Sequence, residues 1–493
     1  MGDPNASNEP KSASSSSSTL ASNESASSTA SSVNSVPLTK SFQDWWYSSP
    51  QLQRETGTAG KSDVKLEQAK LKNRQIEYNL FRAMLPDYIY IKPPTSQEQE
   101  DVLDPGNIRG ELMDVPIADG SFIHEFYLEN TDTAGETTHA SSPSQHIVII
   151  HGYMAALGFF IKNVESLVAV PGVKLHIIDL PGFGNSSRSK FPAEFLTRPK
   201  ELKQRIDQVL QIENWFIDKV EAWRKIRGVD RFKLIGHSMG AYLSCCYLMK
   251  YNVGDDGSKL VQDVILVSPM GTESNEHSLI NDKKFDFNLH QRGGDPFGEL
   301  MFEDGDDGKV VVNEEFTKFL NTLGKPKFPK NYILEKLWQN NISPFEILQK
   351  FGPFYSKILS YWSFQRFKNF GDSEDSIDLI LKLHDYSYSI FNQYQGSGEL
   401  AITKLINHEI LAQLPLCDRG LVSFLAENDI NNMWVYGDKD WMNHKGGEYI
   451  FKKIRDKNDK ITRFEIVENA GHHIYLDNPK AFNSLVEEFF RLK

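Results

Sequence analysis

The spacing of apolar residues changes period several times between residues 111 and 267, and each change predicts an element. Residues 111–129 alternate apolar and polar positions around Asp119-Gly120, a pattern typical of a β-hairpin. Short apolar runs then alternate with amphipathic stretches of helical length, which predicts a mostly parallel sheet flanked by crossover helices. The predicted strands are His146–Ile150, Lys174–Ile178, Phe232–Ile235 and Val264–Val267; predicted helices follow the first strand, span about Lys200–Arg227 and begin at Met239.

This alternation stops after Met270 and resumes at the apolar run Met433–Tyr436. The roughly 160 residues between are too long for a structureless loop. Apolar positions recur at helical spacing in Asn341–Leu348 and in Phe354–Trp362. We therefore predict an α/β core formed by residues 106–271 and 431–493, with a large helical lid, residues 272–430, inserted before the strand near 433. The aromatic residues of the lid either form its own core or line a substrate pocket.

The amino-terminal region divides into two parts. Residues 1–36 are dominated by Ser, Ala and Asn and contain too few apolar side chains to fold, so they are predicted to be a disordered tail. Residues 37–105 are predicted to be a largely helical segment that contains Trp45 and Trp46. Paired tryptophans suit a membrane–water boundary, but they can equally pack on the α/β core. The sequence leaves both interpretations open.

Composition excludes several classes of protein. A formal net charge of −12, without dense Lys/Arg clusters, argues against nucleic acid as a partner. Three cysteines cannot build a disulfide framework, which favours a reducing, intracellular compartment. The longest apolar runs have the length of strands, so no transmembrane helix is expected.

The segment Gly236-His237-Ser238-Met239-Gly240 is the strongest chemical signal in the chain. In a Gly-x-Ser-x-Gly turn between a strand and a helix, the small residues let the backbone bend sharply and expose the serine hydroxyl. Composition alone gives such a match roughly one time in five, so the flanking elements decide its meaning. Here a predicted strand precedes the motif and a predicted helix follows it. Ser238 is therefore predicted to be a nucleophile.

A serine nucleophile needs an imidazole base and a carboxylate that holds the base, in the chain order Ser, acid, His. Asp440 and His472 each follow a predicted strand and are the preferred pair. Asp438 competes with Asp440, which lies further along its loop. His473 competes with His472, which the small Ala470-Gly471 pair allows to approach the serine. His237 is interpreted as a packed histidine.

Two backbone N–H groups must stabilise the negative charge that develops on the attacked carbonyl oxygen. Met239, directly after the nucleophile, is predicted to supply one; Tyr153 is preferred for the other, with Met154 as the alternative. Adjacent His472 and His473 lack the spacing of helical metal ligands, and there is no His-Glu-x-x-His motif. We expect neither a metal nor another cofactor.

From Trp45-Trp46 to the carboxyl terminus, the chain resembles the lipid-acting α/β hydrolases. This group includes fungal mitochondrial cardiolipin deacylase, fungal lysophosphatidate acyltransferases and the animal lipid-droplet lipase co-activator. The resemblance rests on specific segments. They are His151–Tyr153, Asp179–Arg188, Gly236–Gly240, Ser343–Phe345 with Gly352-Pro353, Ser397–Glu399 and Gly471–Pro479.

The resemblance implies the α/β-hydrolase fold and acyl-ester lipids as substrates. The preferred activity is that of a phospholipid acyl hydrolase, with cardiolipin among the candidate substrates, acting through Ser238, Asp440, His472 and an acyl-enzyme. It also implies an intracellular, peripheral membrane location, either at the matrix side of the mitochondrial inner membrane or on lipid droplets.

Two alternatives remain. A His-x4-Asp motif associated with acyl transfer in this group is matched by His472 and Asp477, which implies an acyl-CoA-dependent lysophosphatidate acyltransferase. Asp477 or Asn478 before Pro479 is equally a good helix start. A non-catalytic lipid-surface scaffold is the second alternative. The animal co-activator lacks the elbow serine, whereas this chain keeps Ser238, which argues against that role.

Overall fold

The computed structural model describes residues 34–47, 62–94, 106–132, 145–254, 256–280, 314–328, 332–367 and 373–492. The predicted serine-rich tail lies outside these ranges except for residues 34–36. Val36 is fully buried, and its backbone N–H donates to Ser360 Oγ at 3.0 Å. The packed chain thus includes residues that composition assigned to the tail, because a single apolar side chain does not change the average of a serine-rich stretch.

Within the described residues, nine strands form one sheet in the order β1-β2-β3-β5-β4-β6-β7-β8-β9. Pairing is antiparallel only for β2 with β3 and for β3 with β5 among these strands. The predicted mostly parallel sheet is therefore confirmed. The strands are β1 (Ile89–Ile91), β2 (Ile108–Pro116), β3 (Phe122–Asn130), β4 (Gln145–Ile150), β5 (Val173–Ile178), β6 (Phe232–His237), β7 (Val261–Val267), β8 (Asn431–Gly437) and β9 (Thr462–Val467).

The predicted hairpin is formed by β2 and β3, which pair from Pro116 with Phe122 to Ile108 with Asn130. The apolar runs of β4 and β7 are buried along almost their whole length, as expected for parallel strands covered by helices on both faces. Since parallel strands end at the same edge, β6, β7 and β8 bring the segments that follow them together there.

The predicted helices after β4, between β5 and β6, and after β6 are α3, α4 and α5, and helices α6 to α12 belong to the segment between β7 and β8. The helices are α1 (Leu38–Trp46), α2 (Ser62–Met84), α3 (Ile161–Val168), α4 (Leu202–Ile226), α5 (Met239–Tyr251), α6 (Glu314–Leu323), α7 (Tyr332–Gln339), α8 (Pro344–Gln349), α9 (Tyr355–Phe367), α10 (Glu374–Phe391), α11 (Ile402–Leu405), α12 (Leu421–Glu427), α13 (His444–Lys457), α14 (Ile474–Asp477) and α15 (Pro479–Phe489). No described helix combines the length and apolarity needed to cross a membrane.

Helix α1 packs on the segment between β7 and β8, which is called the lid below, and the two tryptophans of this helix differ in exposure. Ser41 Oγ donates to the carbonyl of Pro353 at 2.6 Å and accepts the backbone N–H of Lys357 at 2.9 Å. Trp45 is half-buried, whereas Trp46 is 65% exposed. One tryptophan therefore packs against the protein while its neighbour faces solvent.

A buried charge network joins α2 to the hairpin. His124 of β3 lies 2.8 Å from Glu77 of α2 through Nε2, and 2.8 Å from Asp114 of β2 through Nδ1. Burial by itself would lower the pKa of His124, but the two carboxylates raise it to about 10. His124 is therefore an imidazolium at neutral pH, held between two acids.

We expect His124→Gln to lower the free energy of unfolding by about 3 kcal/mol, because it leaves the buried Glu77 carboxylate without its counter-charge. Adding Glu77→Gln should restore most of the loss, as measured by urea denaturation. Because the pKa is raised from 6.5 to about 10, this stabilisation is complete below pH 6.5 and is lost as pH rises toward 10. Equal stability of the single and double variants would contradict the charged network.

Candidate active site

Ser238 lies at a strained turn between β6 and α5. Its backbone has φ 54° and ψ −116°, a conformation that non-glycine residues rarely adopt. The glycines on either side make this turn possible. A Cβ at Gly236 would lie 2.6 Å from Ser244 Oγ, and a Cβ at Gly240 would overlap the carbonyl oxygen of His151. The Gly-x-Ser-x-Gly sequence is thus required by close backbone approach on both sides of Ser238.

Three side chains from separate loops meet at this turn. Ser238 Oγ lies 3.0 Å from His472 Nε2, and His472 Nδ1 lies 3.1 Å from Asp440 Oδ1. Ser238 and Asp440 are buried, and His472 is partly exposed. Such a chain of serine, imidazole and carboxylate can move the serine proton to the imidazole while the carboxylate stabilises the resulting charge.

The surroundings of Asp440 distinguish it from Asp438. Asp440 accepts hydrogen bonds from the hydroxyl of Ser268, at the end of β7, and from the backbone N–H of Met442 at 2.9 Å. Burial opposes ionisation of Asp440, but its hydrogen bond with His472 and those from Ser268 and Met442 outweigh burial, so its pKa lies below the ordinary value. Asp438 instead accepts the backbone N–H of Ala470 at 2.9 Å. The structure therefore brings Asp440, rather than Asp438, to the histidine.

His237 and His473 pack beside the side chains of Ser238, His472 and Asp440. His237 Nε2 donates to the carbonyl of His472 at 2.9 Å, while the Tyr475 hydroxyl lies 3.4 Å from His237 Nδ1. Burial holds the pKa of both His237 and His473 well below the ordinary value, so both rings are neutral. As expected, His237 is a packed histidine. It also fixes the backbone of the residue that contacts Ser238.

The loop after β4 passes directly over the serine. A Cβ at Gly152 would lie 2.7 Å from Ser238 Cβ and 2.8 Å from His237 Nδ1, so only glycine fits there. Tyr153 follows at once, and Met154, with φ 51°, turns the chain away. Met239 is the first residue of α5, where backbone N–H groups have no acceptor within the helix. The two segments predicted to bind the oxyanion thus both lie next to Ser238.

The carboxylate of Asp477, in the His-x4-Asp motif, bonds to the loop that precedes His472 and to the lid. It accepts the backbone N–H of Gly471 at 2.9 Å and pairs with Arg366 of lid helix α9. Arg366 Nη2 also donates to the carbonyl of His473 at 3.5 Å. Asn478, not Asp477, caps helix α15 by accepting the N–H of Ala481. Asp477 therefore anchors the loop that carries His472 to the lid.

Sequence reasoning did not identify Ser268 or Arg366. The sequence gives a weak signal for Ser268, because this residue directly follows a predicted strand. Asp440 likewise lies a few residues after a predicted strand. Arg366 carries none, because its partner Asp477 lies 111 residues away in the chain.

Aromatic side chains of the lid segment reach the loop beside Ser238. Phe345 at the start of α8 lies 5.4 Å from the ring of Tyr153 and 5.5 Å from that of Phe391. Tyr355 and Tyr388, by contrast, pack on each other within the lid at 5.4 Å. Some of these aromatic side chains therefore build the interior of the segment between β7 and β8, and Phe345 contacts the loop beside Ser238. Whether any of them lines a substrate pocket stays a prediction.

The chain is similar to one fold family and to several proteins with lipid-related names. The family model of the alpha/beta hydrolase fold matches residues 145–479. A probable 1-acylglycerol-3-phosphate O-acyltransferase of Oryza sativa is 26% identical over 69% of this chain and 66% of its own length, so the chain spans about two thirds of that relative.

Two further relatives are named for different lipid reactions. A 1-acylglycerol-3-phosphate O-acyltransferase of Saccharomyces cerevisiae is 25% identical over 79% of this chain and 91% of its own. A (lyso)-N-acylphosphatidylethanolamine lipase of Mus musculus is 26% identical over 69% of this chain and 78% of its own. These relatives are lipid-related in name and include both acyltransferases and a lipase.

Replacing each of the two aspartates in turn separates their roles. We expect Asp440→Asn to lower kcat for a soluble p-nitrophenyl ester by about 10⁴-fold, because an amide no longer holds the imidazole in the required tautomer. The matched variant Asp438→Asn keeps an oxygen that accepts the Ala470 N–H, so its kcat should stay close to wild type. The reverse order of effects would make Asp438 the acid.

Proposed function

This chain belongs to the alpha/beta hydrolase fold family, and we propose that it is a serine-dependent lipid acyl hydrolase that cleaves phospholipid esters through an acyl-enzyme. One observation carries this proposal: Ser238 Oγ contacts His472 Nε2, and His472 Nδ1 contacts Asp440.

The proposed reaction begins when His472 takes the proton of Ser238 and the serine oxygen attacks the ester carbonyl. The oxyanion that forms accepts hydrogen bonds from the backbone N–H groups of Tyr153 and Met239. When the tetrahedral intermediate collapses, His472 returns the proton to the leaving alcohol. A water molecule then loses a proton to His472 and attacks the acyl-enzyme, and His472 returns that proton to Ser238 Oγ as the fatty acid leaves.

Lipid substrates are supported by the lid and by the relatives. Ser238 lies beneath a lid whose aromatic side chains reach the adjacent loop, an environment that suits an acyl chain. The relatives act, by name, on 1-acylglycerol-3-phosphate and on N-acylated phosphatidylethanolamine. Cardiolipin belongs to the same chemical class and is one member of the substrate panel to be tested.

Acyl transfer is the second candidate, and the acyltransferases among the relatives favour it. It differs from hydrolysis only in the acceptor that attacks the acyl-enzyme, a lysophospholipid hydroxyl in place of water. The contacts of Asp477 weigh against a direct chemical role for that residue, since its carboxylate is occupied by Gly471 and Arg366.

We expect Ser238→Ala to abolish both labelling by a fluorophosphonate and release of fatty acid from radiolabelled phospholipids, because the nucleophile is removed. Ser387→Ala, a buried serine of lid helix α10 whose hydroxyl bonds the carbonyl of Leu383, is the matched control and should retain both. Labelling of the Ser238→Ala protein at the wild-type rate would contradict the proposal.

The same assay separates the two candidates. Cardiolipin, phosphatidylethanolamine and lysophosphatidate are incubated with and without acyl-CoA. Free fatty acid released without acyl-CoA supports hydrolysis. Phosphatidate formed only with acyl-CoA supports transfer. The absence of any reaction that depends on Ser238, in protein that labels with the probe, would rule out lipid substrates of these classes.

A peripheral membrane surface forms part of the proposal. Helix α1 and the adjoining lid expose a group of large apolar side chains, and the rings of Phe42 and Phe354 lie 6.0 Å apart across the junction. A patch of this kind indicates a binding surface, and a lipid surface fits its aromatic composition. Its members are Leu38, Phe42, Trp46, Tyr47, Phe351, Phe354, Ile358, Tyr361 and Trp362.

We expect the double variant Trp46→Ala/Phe354→Ala to bind phosphatidylcholine vesicles at least about tenfold more weakly than wild type in a flotation assay. Burial of each aromatic side chain in the lipid surface would contribute about 1.5–3 kcal/mol to the free energy of binding, and the variant loses both contributions. Ile226→Ala is the control, because this exposed side chain lies at the end of α4, near the amino end of β6 and outside the group of exposed residues on α1 and the lid. Equal binding by all three proteins would remove this surface from the proposal.

A further inference from the structure

The turn Ser397–Glu399, in the lid segment, meets the core at a contact that only glycines permit. A Cβ at Gly182, whose φ is +79°, would overlap the backbone nitrogen of Gly398, and a Cβ at Gly398 would overlap the carbonyl of Pro181. Ser397 Oγ donates to the carbonyl of Ser189 at 2.6 Å. Two backbone segments distant in the chain are thus in direct contact, which fixes this part of the lid on the core.

Arg188 reinforces the same junction from within the protein. Its guanidinium donates to the carbonyls of Gly182 at 2.7 Å and Gly184 at 3.2 Å in the core, and to that of Ile390 at 3.3 Å at the end of lid helix α10. One side chain therefore bonds to both sides of the contact.

Tyr153, beside the nucleophile, bonds to this turn through its side chain. Its hydroxyl donates to the backbone carbonyl of Glu399 at 3.0 Å. Its ring packs on Phe183 of the core and Phe345 of the lid, with centroids 5.5 and 5.4 Å away. Burial raises the pKa of Tyr153 well above the ordinary value, so the phenol remains a donor.

The carboxylate of Glu399 gives the turn its shape. It accepts the backbone N–H groups of Gly396 and Ser397, the latter at 3.0 Å. Glu399 is fully buried. These bonds hold the turn closed and hold its carbonyl in the position that the Tyr153 hydroxyl reaches.

We propose that the Tyr153 hydroxyl and the Ser397–Glu399 turn form a positioning strut, which fixes the backbone N–H of Tyr153 for the oxyanion and makes the rate at which the acyl-enzyme forms depend on the contact between lid and core. This inference rests on the proposed function, in which that N–H stabilises the developing charge. Gly152 places the loop against Ser238, but a loop of Gly152, Tyr153 and Met154 has no helix or strand to hold its direction. The side chain of Tyr153 supplies that support from the lid.

The test compares Tyr153→Phe with wild type and with Tyr355→Phe. Tyr355 is a matched control because it is buried in the lid and its hydroxyl finds no partner among the described residues. Each protein is assayed with p-nitrophenyl butyrate for kcat and KM, and with a trifluoromethyl ketone, which forms a charged tetrahedral adduct with the serine. Thermal unfolding is followed in parallel.

For Tyr153→Phe we expect kcat to fall about tenfold with KM unchanged, and affinity for the ketone to fall by a similar factor, because a small displacement of an oxyanion donor weakens only the charged state. Tyr355→Phe should match wild type in all three quantities. Glu399→Gln, which keeps one acceptor oxygen, should show a smaller loss of the same kind.

Several results would overturn the strut. The first is a Tyr153→Phe protein whose kcat and ketone affinity lie within about twofold of the wild-type values. The second is a change in Tyr153→Phe that is confined to KM. The third is a loss of kcat and ketone affinity in Tyr355→Phe that equals the loss in Tyr153→Phe. Failure of the proposed function appears elsewhere, as esterase activity that survives in Ser238→Ala.

Discussion

The left-handed backbone of Ser238 is the constraint on which the rest of the site depends. An L-residue at φ 54° stays there only if the surrounding chain leaves no alternative. Gly236, Gly240 and Gly152 each bring another segment so close that a single Cβ would collide with it. The strain at one residue is thus maintained by close packing at three others, and it places the Ser238 hydroxyl within reach of His472.

The partners of Ser238 are held by bonds between their own loops and neighbouring strands or helices. Asp440 is tied to the end of β7 through Ser268, and the loop of His472 is tied to His237 and, through Gly471, to Asp477. Because these bonds come from different strand ends, no single loop determines the geometry. A rigid sheet edge is what allows residues more than 200 positions apart to meet within 3.0 Å.

The sequence was sufficient for strands β2 to β9, their crossover helices and the positions of Ser238, Asp440 and His472, because hydrophobic period and strand-end location are local signals. It did not predict β1, which lies within the segment 37–105 that was expected to be largely helical. The sequence favoured Asp440 over Asp438 as the acid, and Asp440 is the aspartate that contacts His472 in the structure. The roles of these residues stay predictions. Arg366 with Asp477 and Tyr153 with Glu399 could not be found from sequence, since each pair joins segments whose proximity depends on how the lid folds back.

Those two pairs give the lid a specific relation to the site. One connects lid helix α9 to the loop of the base, and the other connects the Ser397–Glu399 turn to the loop after β4. The insertion between β7 and β8 therefore contacts both loops on which the proposed chemistry relies. Any movement that separates the lid segment from the core at these two points must break one of these bonds, so under the proposed function such a movement would also disturb the alignment of the reacting groups. A lid attached only through apolar packing would lack this coupling, because apolar contacts can slide without a defined registry.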